Sequence, residues 1–163
     1  MVQPAEIEEI PLANELPRVF AERMAREKAR AVRESSSRNV VLAADTVVTI
    51  HNQILGKPQD DADAARMLRL LAGRPHSVIT GVCLCGEDFE DVRSETTRVQ
   101  FSSLSDDEIR DYVLTGEPMD KAGAYAIQGR ASRWISRIEG DYYNVVGLPV
   151  DLVWRMLREH NLL

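Results

Sequence analysis

The sequence predicts a single α/β domain over residues 1–163. We expect an α+β arrangement, in which helices flank a mixed sheet. Two observations predict this class. Apolar runs rich in β-branched residues occur between segments whose apolar residues recur at helical spacing. A chain of 163 residues has the size of one domain, and no internal repeat, low-complexity segment or linker divides it. Strands and helices mixed in this way indicate a single layered core.

The first half of the chain predicts two helices and two strands. Residues 16–33 form an amphipathic helix, with Pro17 suited to its first turn. Residues 40–50 are apolar almost throughout, which predicts a strand buried on both faces. A turn leads into a short strand at 54–55, and residues 60–71 form a second helix with acidic residues in its first turn.

The middle of the chain predicts a hairpin and a third helix. Residues 76–85 and 92–101 are expected to be strands joined by a polar turn. Ser105 and Glu108 have the spacing of a capping box, in which each side chain bonds the backbone of the other residue. The helix that they open is expected to stop at Gly116.

The last part predicts a loop, a strand and a terminal helix. Residues 117–132 are rich in small residues and are expected to form a loop, and 133–138 a strand. Pro149 begins the final helix. Its apolar face consists of Leu152, Val153, Met156 and Leu157.

The composition excludes several classes of function. The net charge of −6 argues against nonspecific binding to nucleic acid, and implies that any polyphosphate chemistry uses a few placed cations and a divalent metal. No apolar run approaches the roughly 20 residues of a membrane span, and no signal peptide is evident, so we expect a cytoplasmic protein with no membrane partner. Cys83 and Cys85 are expected to be buried reduced thiols rather than metal ligands.

The lysines are informative because they are few. Only Lys28, Lys57 and Lys121 occur among 20 basic residues. A lysine kept in so arginine-rich a chain indicates a position that needs a compact ammonium on a flexible stem. Chance survival at tolerant surface positions is the alternative.

Asp45 is the first candidate catalytic residue. It interrupts the apolar strand, where a carboxylate is costly unless it is paired or bound to metal. Lys57 follows twelve residues later, and a short hairpin return could bring it beside the same strand. A base or metal-binding carboxylate would then lie near a phosphate-binding cation. A lone strand-end Asp more often caps a neighbouring loop.

Residues 116–129 form the second candidate cluster. They join Lys121 to an adjacent acid, to glycines that let backbone approach a ligand, and to Gln128, whose amide can donate and accept toward a base edge. Most loops of this composition are simply solvated. The segment contains neither a Walker motif nor a GxGxxG motif.

Taken in order, these segments resemble the Maf family of nucleotide pyrophosphatases. The resemblance rests on many ordered motifs and covers nearly the whole chain from about residue 4. The matching segments are residues 26–32, 44–48, 54–58, 64–67, 70–74, 76–81, 116–125, 127–129 and 138–149.

The resemblance implies an ITPase-like fold and metal-dependent hydrolysis of nucleoside triphosphates to monophosphate and pyrophosphate, with Mg²⁺ or Mn²⁺ as cofactor. Asp45 matches the proposed proton acceptor and, with Glu9, would hold the metal. The remaining positions are implied to contact substrate: Thr46 and Gln128 in substrate choice, and Lys28, Lys57, Lys121 and Glu9 in the pocket. Residues 124–129 are similar to the branch that acts on dTTP and UTP, and a homodimer is left open.

One departure affects this interpretation. The family normally begins with a strand and a Ser-x-Ser-Pro-Arg-Arg loop, and neither is present in the 163 residues, so we expect an N-terminally truncated domain that is less active and less stable. A relative that binds nucleotide or a protein partner without catalysis is the alternative function. An unrelated α/β domain is the third hypothesis.

Overall fold

A computed structural model describes residues 2–5, 7–35 and 40–163. Within these residues five strands form one sheet, in the order β2-β1-β3-β4-β5. The strands are β1 Val41–Ile50, β2 Gln53–Leu55, β3 Pro75–Cys85, β4 Glu90–Phe101 and β5 Ile135–Glu139. The helices are α1 Pro17–Ser35, α2 Asp61–Leu71, α3 Asp106–Val113, α4 Tyr142–Val146 and α5 Val150–Glu159. Three 3₁₀ helices, Glu117–Asp120, Ala122–Ala124 and Arg130–Trp134, lie between α3 and β5.

The predicted class of mixed strands and helices is confirmed, but the sheet is not mixed in direction. Each of the four pairings between described strands is antiparallel. Two of them follow from tight connections: the β1–β2 turn places His51 and Asn52 at positive φ, as a two-residue hairpin requires, and β3 and β4 are joined directly. The α2 connection returns β3 antiparallel to β1.

Residues of β3 alternate between the two faces of the sheet. Ile79 and Cys83 pack in clusters with α1, whereas Val82 and Leu84 pack against α5. Helix α1 lies very close to β3, because a Cβ added at Gly81 would be 2.3 Å from the backbone oxygen of Ala21. Both cysteines are free and buried, as expected.

The largest core cluster lies on the face opposite α1. It joins α2, α3 and the 3₁₀ segments to β1, β3 and β4, with Phe101, Tyr112 and Trp134 at its centre. Ser105 and Glu108 form the predicted capping box at the start of α3. Helix α5 begins after Pro149, and three of its four predicted apolar positions are buried.

The prediction that β1 is buried on both faces is wrong for its first half. Residues 47–50 are buried, whereas Leu42 is exposed and Val41 is only partly covered. The reason is the length of β2, which pairs only with residues 48–50. Over 41–47, the side of β1 away from β3 has no strand neighbour among the residues that the structure describes.

No helix in the described part of the chain combines the length and apolarity needed to cross a membrane.

Candidate active site

A cavity of about 610 Å³ lies along the uncovered edge of β1. It is closed by α1 on one side and by the segments after α3 and around α4 on the other. The structure brings all seven candidate residues to this cavity. They are Glu9, Lys28, Asp45, Thr46, Lys57, Lys121 and Gln128. Their roles remain predictions, but their placement around one space is what a shared site requires.

Asp45 is a buried carboxylate that shares one cation with Glu9. The ammonium of Lys28, on α1, lies 2.6 Å from Asp45 Oδ1 and 2.7 Å from Glu9 Oε1. Burial raises the pKa of the Asp45 carboxyl above its ordinary value, while the hydrogen bond from Lys28 opposes the rise. Asp45 is therefore a carboxylate with increased affinity for a proton, held by a neighbouring cation.

Lys57 reaches the cavity by the hairpin route that the sequence predicted. The β1–β2 turn pairs Leu55 with Val48, and the chain then passes through Gly56 to Lys57. The charge of Lys57 is close enough to act on Asp45 and favours its ionised form. Lys57 forms no ion pair with any described residue. Its ammonium is therefore available to an anionic ligand.

Lys121 differs from Lys57 because it already has a carboxylate partner. Its Nζ lies 2.8 Å from Asp120 Oδ2. Among the described residues that line the cavity, Lys28, Lys57 and Lys121 are balanced by Glu9, Asp45 and Asp120. The described residues therefore give the cavity no excess positive charge, although three of them are lysines.

The segment that carries Gln128 is fastened at both ends. Glu117 accepts hydrogen bonds from the Tyr112 hydroxyl at 2.8 Å and from the Arg130 backbone N–H at 3.0 Å. Gly123, at φ 68°, lies against the Val48 side chain, where an added Cβ would be 2.8 Å away. The Gln128 side chain is exposed at the cavity and has no hydrogen-bond partner among described residues. This fastened segment thus presents an amide that no described residue pairs with.

A buried polar network, which the sequence analysis missed, attaches α4 to the sheet. Asn144 is fully buried, and its Nδ2 donates to Val78 O and to Thr97 Oγ1, each at 3.0 Å. The Thr80 hydroxyl donates to Asn144 O at 3.0 Å. These contacts fix the α4 segment that forms one wall of the cavity beside Thr46. Two features of the sequence could have indicated this network. Thr80 places a hydroxyl in an apolar strand, and Asn144 lies in the 138–149 segment that resembles the Maf family.

Comparisons with known proteins identify the family of this chain. The sequence pattern of the family described as Maf-like protein matches residues 1–160. The chain belongs to this family. A dTTP/UTP pyrophosphatase of Koribacter versatilis is 55% identical over 99% of this chain and 84% of its own length. Relatives with the same name in Syntrophomonas wolfei and Thermococcus gammatolerans are 53% and 51% identical, over 94% and 86% of this chain and 82% and 75% of their own lengths.

The predicted family membership is therefore confirmed for this Maf-like chain. The prediction of a hydrolase of the nucleoside triphosphate pyrophosphatase class agrees with the names that its relatives carry.

His76 contacts a residue that lines the cavity, and it makes the stability of the fold sensitive to acid. Its Nε2 lies 2.7 Å from the hydroxyl of Tyr125, which lines the cavity. Burial lowers the pKa of His76 to about 4. Because an unfolded histidine titrates at about 6.5, the unfolded chain binds a proton that the folded chain excludes between these values. Stability is therefore lost as the pH falls from about 6.5 toward 4.

We predict the size of this loss by comparing variants. Between pH 7 and pH 5 the free energy of unfolding of the wild type should fall by about 2 kcal/mol more than that of His76→Gln, since one pKa unit corresponds to about 1.4 kcal/mol. Urea unfolding at both pH values measures this difference. The exposed His51, changed to Asn, is the control and should keep the wild-type dependence. A His76→Gln variant that loses as much stability as the wild type would contradict the assignment.

Proposed function

We propose that this Maf-like chain hydrolyses nucleoside triphosphates to the monophosphate and pyrophosphate, with dTTP and UTP preferred. The observation that carries the proposal is the buried Asp45 carboxylate, paired with Lys28 in a cavity that also exposes Lys57. The names of the relatives support both the reaction and the preferred nucleotides.

The proposed reaction adds water across the anhydride between the α- and β-phosphates. Asp45 accepts a proton from the attacking water, and its raised pKa suits a general base. The phosphorus–oxygen bond of the anhydride breaks, and the electron pair leaves on pyrophosphate. Lys57, which has no carboxylate partner among the described residues, would stabilise the charge on the phosphates, and Lys121 would assist from the same cavity.

The residues present fit a divalent metal of the Mg²⁺ or Mn²⁺ type. Both Asp45 and Glu9 contact one cationic atom, Lys28 Nζ, so their oxygens already converge on a position for positive charge. Oxygen ligands from carboxylates suit these ions. No group of three or more His, Cys, Asp or Glu side chains among the described residues could hold a metal alone, so phosphate oxygens of the substrate would complete the ligands. The bound ion would neutralise phosphate charge, which the balanced cavity does not do by itself.

Base recognition is assigned to the far side of the cavity. Gln128 offers a free amide, and Thr46 offers a hydroxyl. Both can bond the mixed donor and acceptor edge of uracil or thymine. The cytoplasmic location, the homodimer and the effect of a preceding Ser-Pro-Arg-Arg loop stay predictions.

Asp45→Asn should retain the fold and reduce the release of pyrophosphate from UTP by roughly 100-fold or more, because the amide cannot accept the proton from water. Steady-state pyrophosphate release measures the effect, and calorimetry with UMP measures binding. The matched control is Asp88→Asn, at an exposed position in the β3–β4 turn, which should keep normal turnover. Near-normal turnover in Asp45→Asn would exclude Asp45 as the base. Nucleotide binding by a wild type that never turns over would favour the non-catalytic alternative.

Metal dependence gives a separate prediction. Turnover of UTP should be lost in excess EDTA and should return with Mg²⁺ or Mn²⁺. Binding of Mn²⁺ can be measured as the loss of the electron paramagnetic resonance signal of the free ion. This binding should weaken in Asp45→Asn. It should strengthen in Lys28→Met, because the competing ammonium is removed. Full activity in chelator, or Mn²⁺ binding that is the same in all three proteins, would contradict the proposed metal site.

A further inference from the structure

We propose that Thr80 is a positioning residue that fixes the direction of the Thr46 hydroxyl, so that Thr46 can only accept a hydrogen bond from the nucleotide base. The inference rests on the proposed function and deepens it, because it assigns a discrimination between bases that carry N–H at ring position 3 and bases that do not. Thr80 belongs to β3 and is fully buried.

The two threonines are direct cross-strand partners. Thr46 on β1 is paired with Thr80 on β3, so their side chains share one face of the sheet. Their Oγ1 atoms are 2.8 Å apart. Thr80 is sealed in the core, whereas Thr46 is partly exposed at the cavity. Only Thr46 can therefore meet a ligand.

The contact between Thr80 and Asn144 determines which threonine donates the hydrogen bond between Thr46 and Thr80. Thr80 Oγ1 lies 3.0 Å from Asn144 O, and a carbonyl oxygen accepts only. Thr80 has one hydroxyl hydrogen, and this contact uses it. The hydrogen between the two threonines must then come from Thr46. With its only hydrogen directed at Thr80, Thr46 presents only lone pairs to the cavity.

The carbonyl that accepts this bond from Thr80 is itself held in place. Asn144 Nδ2 is bonded to Val78 O and Thr97 Oγ1, and Thr97 donates in turn to Asp141 O at 2.8 Å. The backbone N–H of Gly147 also donates to Asn144 O at 3.1 Å. The carbonyl cannot turn away from Thr80 without disturbing the two buried bonds that join the Asn144 side chain to the sheet, and such losses are costly. The direction of the Thr46 hydroxyl is thus locked by the fold.

A locked acceptor selects among pyrimidines. Uracil and thymine carry a donor N–H at ring position 3, whereas the same atom of cytosine is an acceptor. An acceptor facing an acceptor leaves both groups unpaired once the bound base excludes water between them, which gives strong discrimination. The Gln128 amide cannot provide this alone, because it is exposed, has no described partner and can turn over to present either its N–H or its oxygen.

Two substitutions at Thr80 distinguish an effect on the direction of the Thr46 hydroxyl from an effect on side-chain packing. Thr80→Val keeps the shape but removes the hydroxyl, so that Thr46 becomes free to donate. Asn144 O keeps its bond from Gly147, which supports folding of this variant. Thr80→Ser keeps the hydroxyl and serves as the conservative control. The ratio of kcat/KM for UTP to that for CTP should fall about tenfold or more in Thr80→Val, the scale of one hydrogen bond in a closed site. The ratio should stay near the wild-type value in Thr80→Ser.

A double substitution and a modified base test whether Thr80 acts on base selection through Thr46. In a Thr46→Val background, Thr80→Val should produce no further change in the ratio. In the wild type, N3-methyl-UTP should lose at least about tenfold in kcat/KM relative to UTP, and Thr46→Val should lose much less. The modified base also gives the answer if Thr80→Val does not fold.

Several results would overturn the inference. They are an unchanged ratio in Thr80→Val, an equal fall in Thr80→Ser, a further fall in the Thr46→Val background, or equal sensitivity of wild type and Thr46→Val to the N3-methyl group. The same ratios measured for UMP and CMP by calorimetry need no turnover. A wild type that cleaves no triphosphate would therefore contradict the proposed function, while the binding ratios would still decide the role of Thr80.

Discussion

The site depends on one buried carboxylate at an uncovered strand edge. Asp45 lies on β1 at a point where β2 has not yet begun to pair, so its neighbours are helix α1 and the cavity rather than another strand. Burying a charge there is costly unless a cation accompanies it. Lys28 meets that need from α1, and the close packing of α1 at Gly81 fixes how far its stem must reach.

Strand geometry explains how one cavity can combine chemistry with recognition. Consecutive residues of a strand point to opposite faces, so Asp45 faces α1 while Thr46 faces Thr80 and α4. In the middle of a sheet these two side chains would be separated by backbone. At the uncovered edge of β1 the cavity extends over both faces. Asp45 and Lys28 therefore lie on one side, and Thr46, which is proposed to read the base, lies on the other.

The sequence predicted much of this arrangement where the signal was local. A hairpin of two turn residues forces Lys57 back toward Asp45, and the Ser105–Glu108 box determines where α3 begins. Contacts set by tertiary register could not be found in this way. The Lys28–Asp45 pair depends on where α1 crosses the sheet, and the Thr46–Thr80 pair depends on a strand register reached through α2. Burial of β1 was overestimated because the pattern of a strand does not reveal how far its neighbour extends. Helix α4 has five residues, too few to show helical periodicity.

We propose that this site cleaves nucleoside triphosphates between the α- and β-phosphates. The most direct measurement is phosphorus-31 NMR of the products formed from UTP by the purified chain with Mg²⁺. We expect UMP and pyrophosphate in equal amounts, with no UDP at any time in the reaction. Accumulation of UDP with orthophosphate would place the cleavage at the terminal phosphate and would contradict the proposed function.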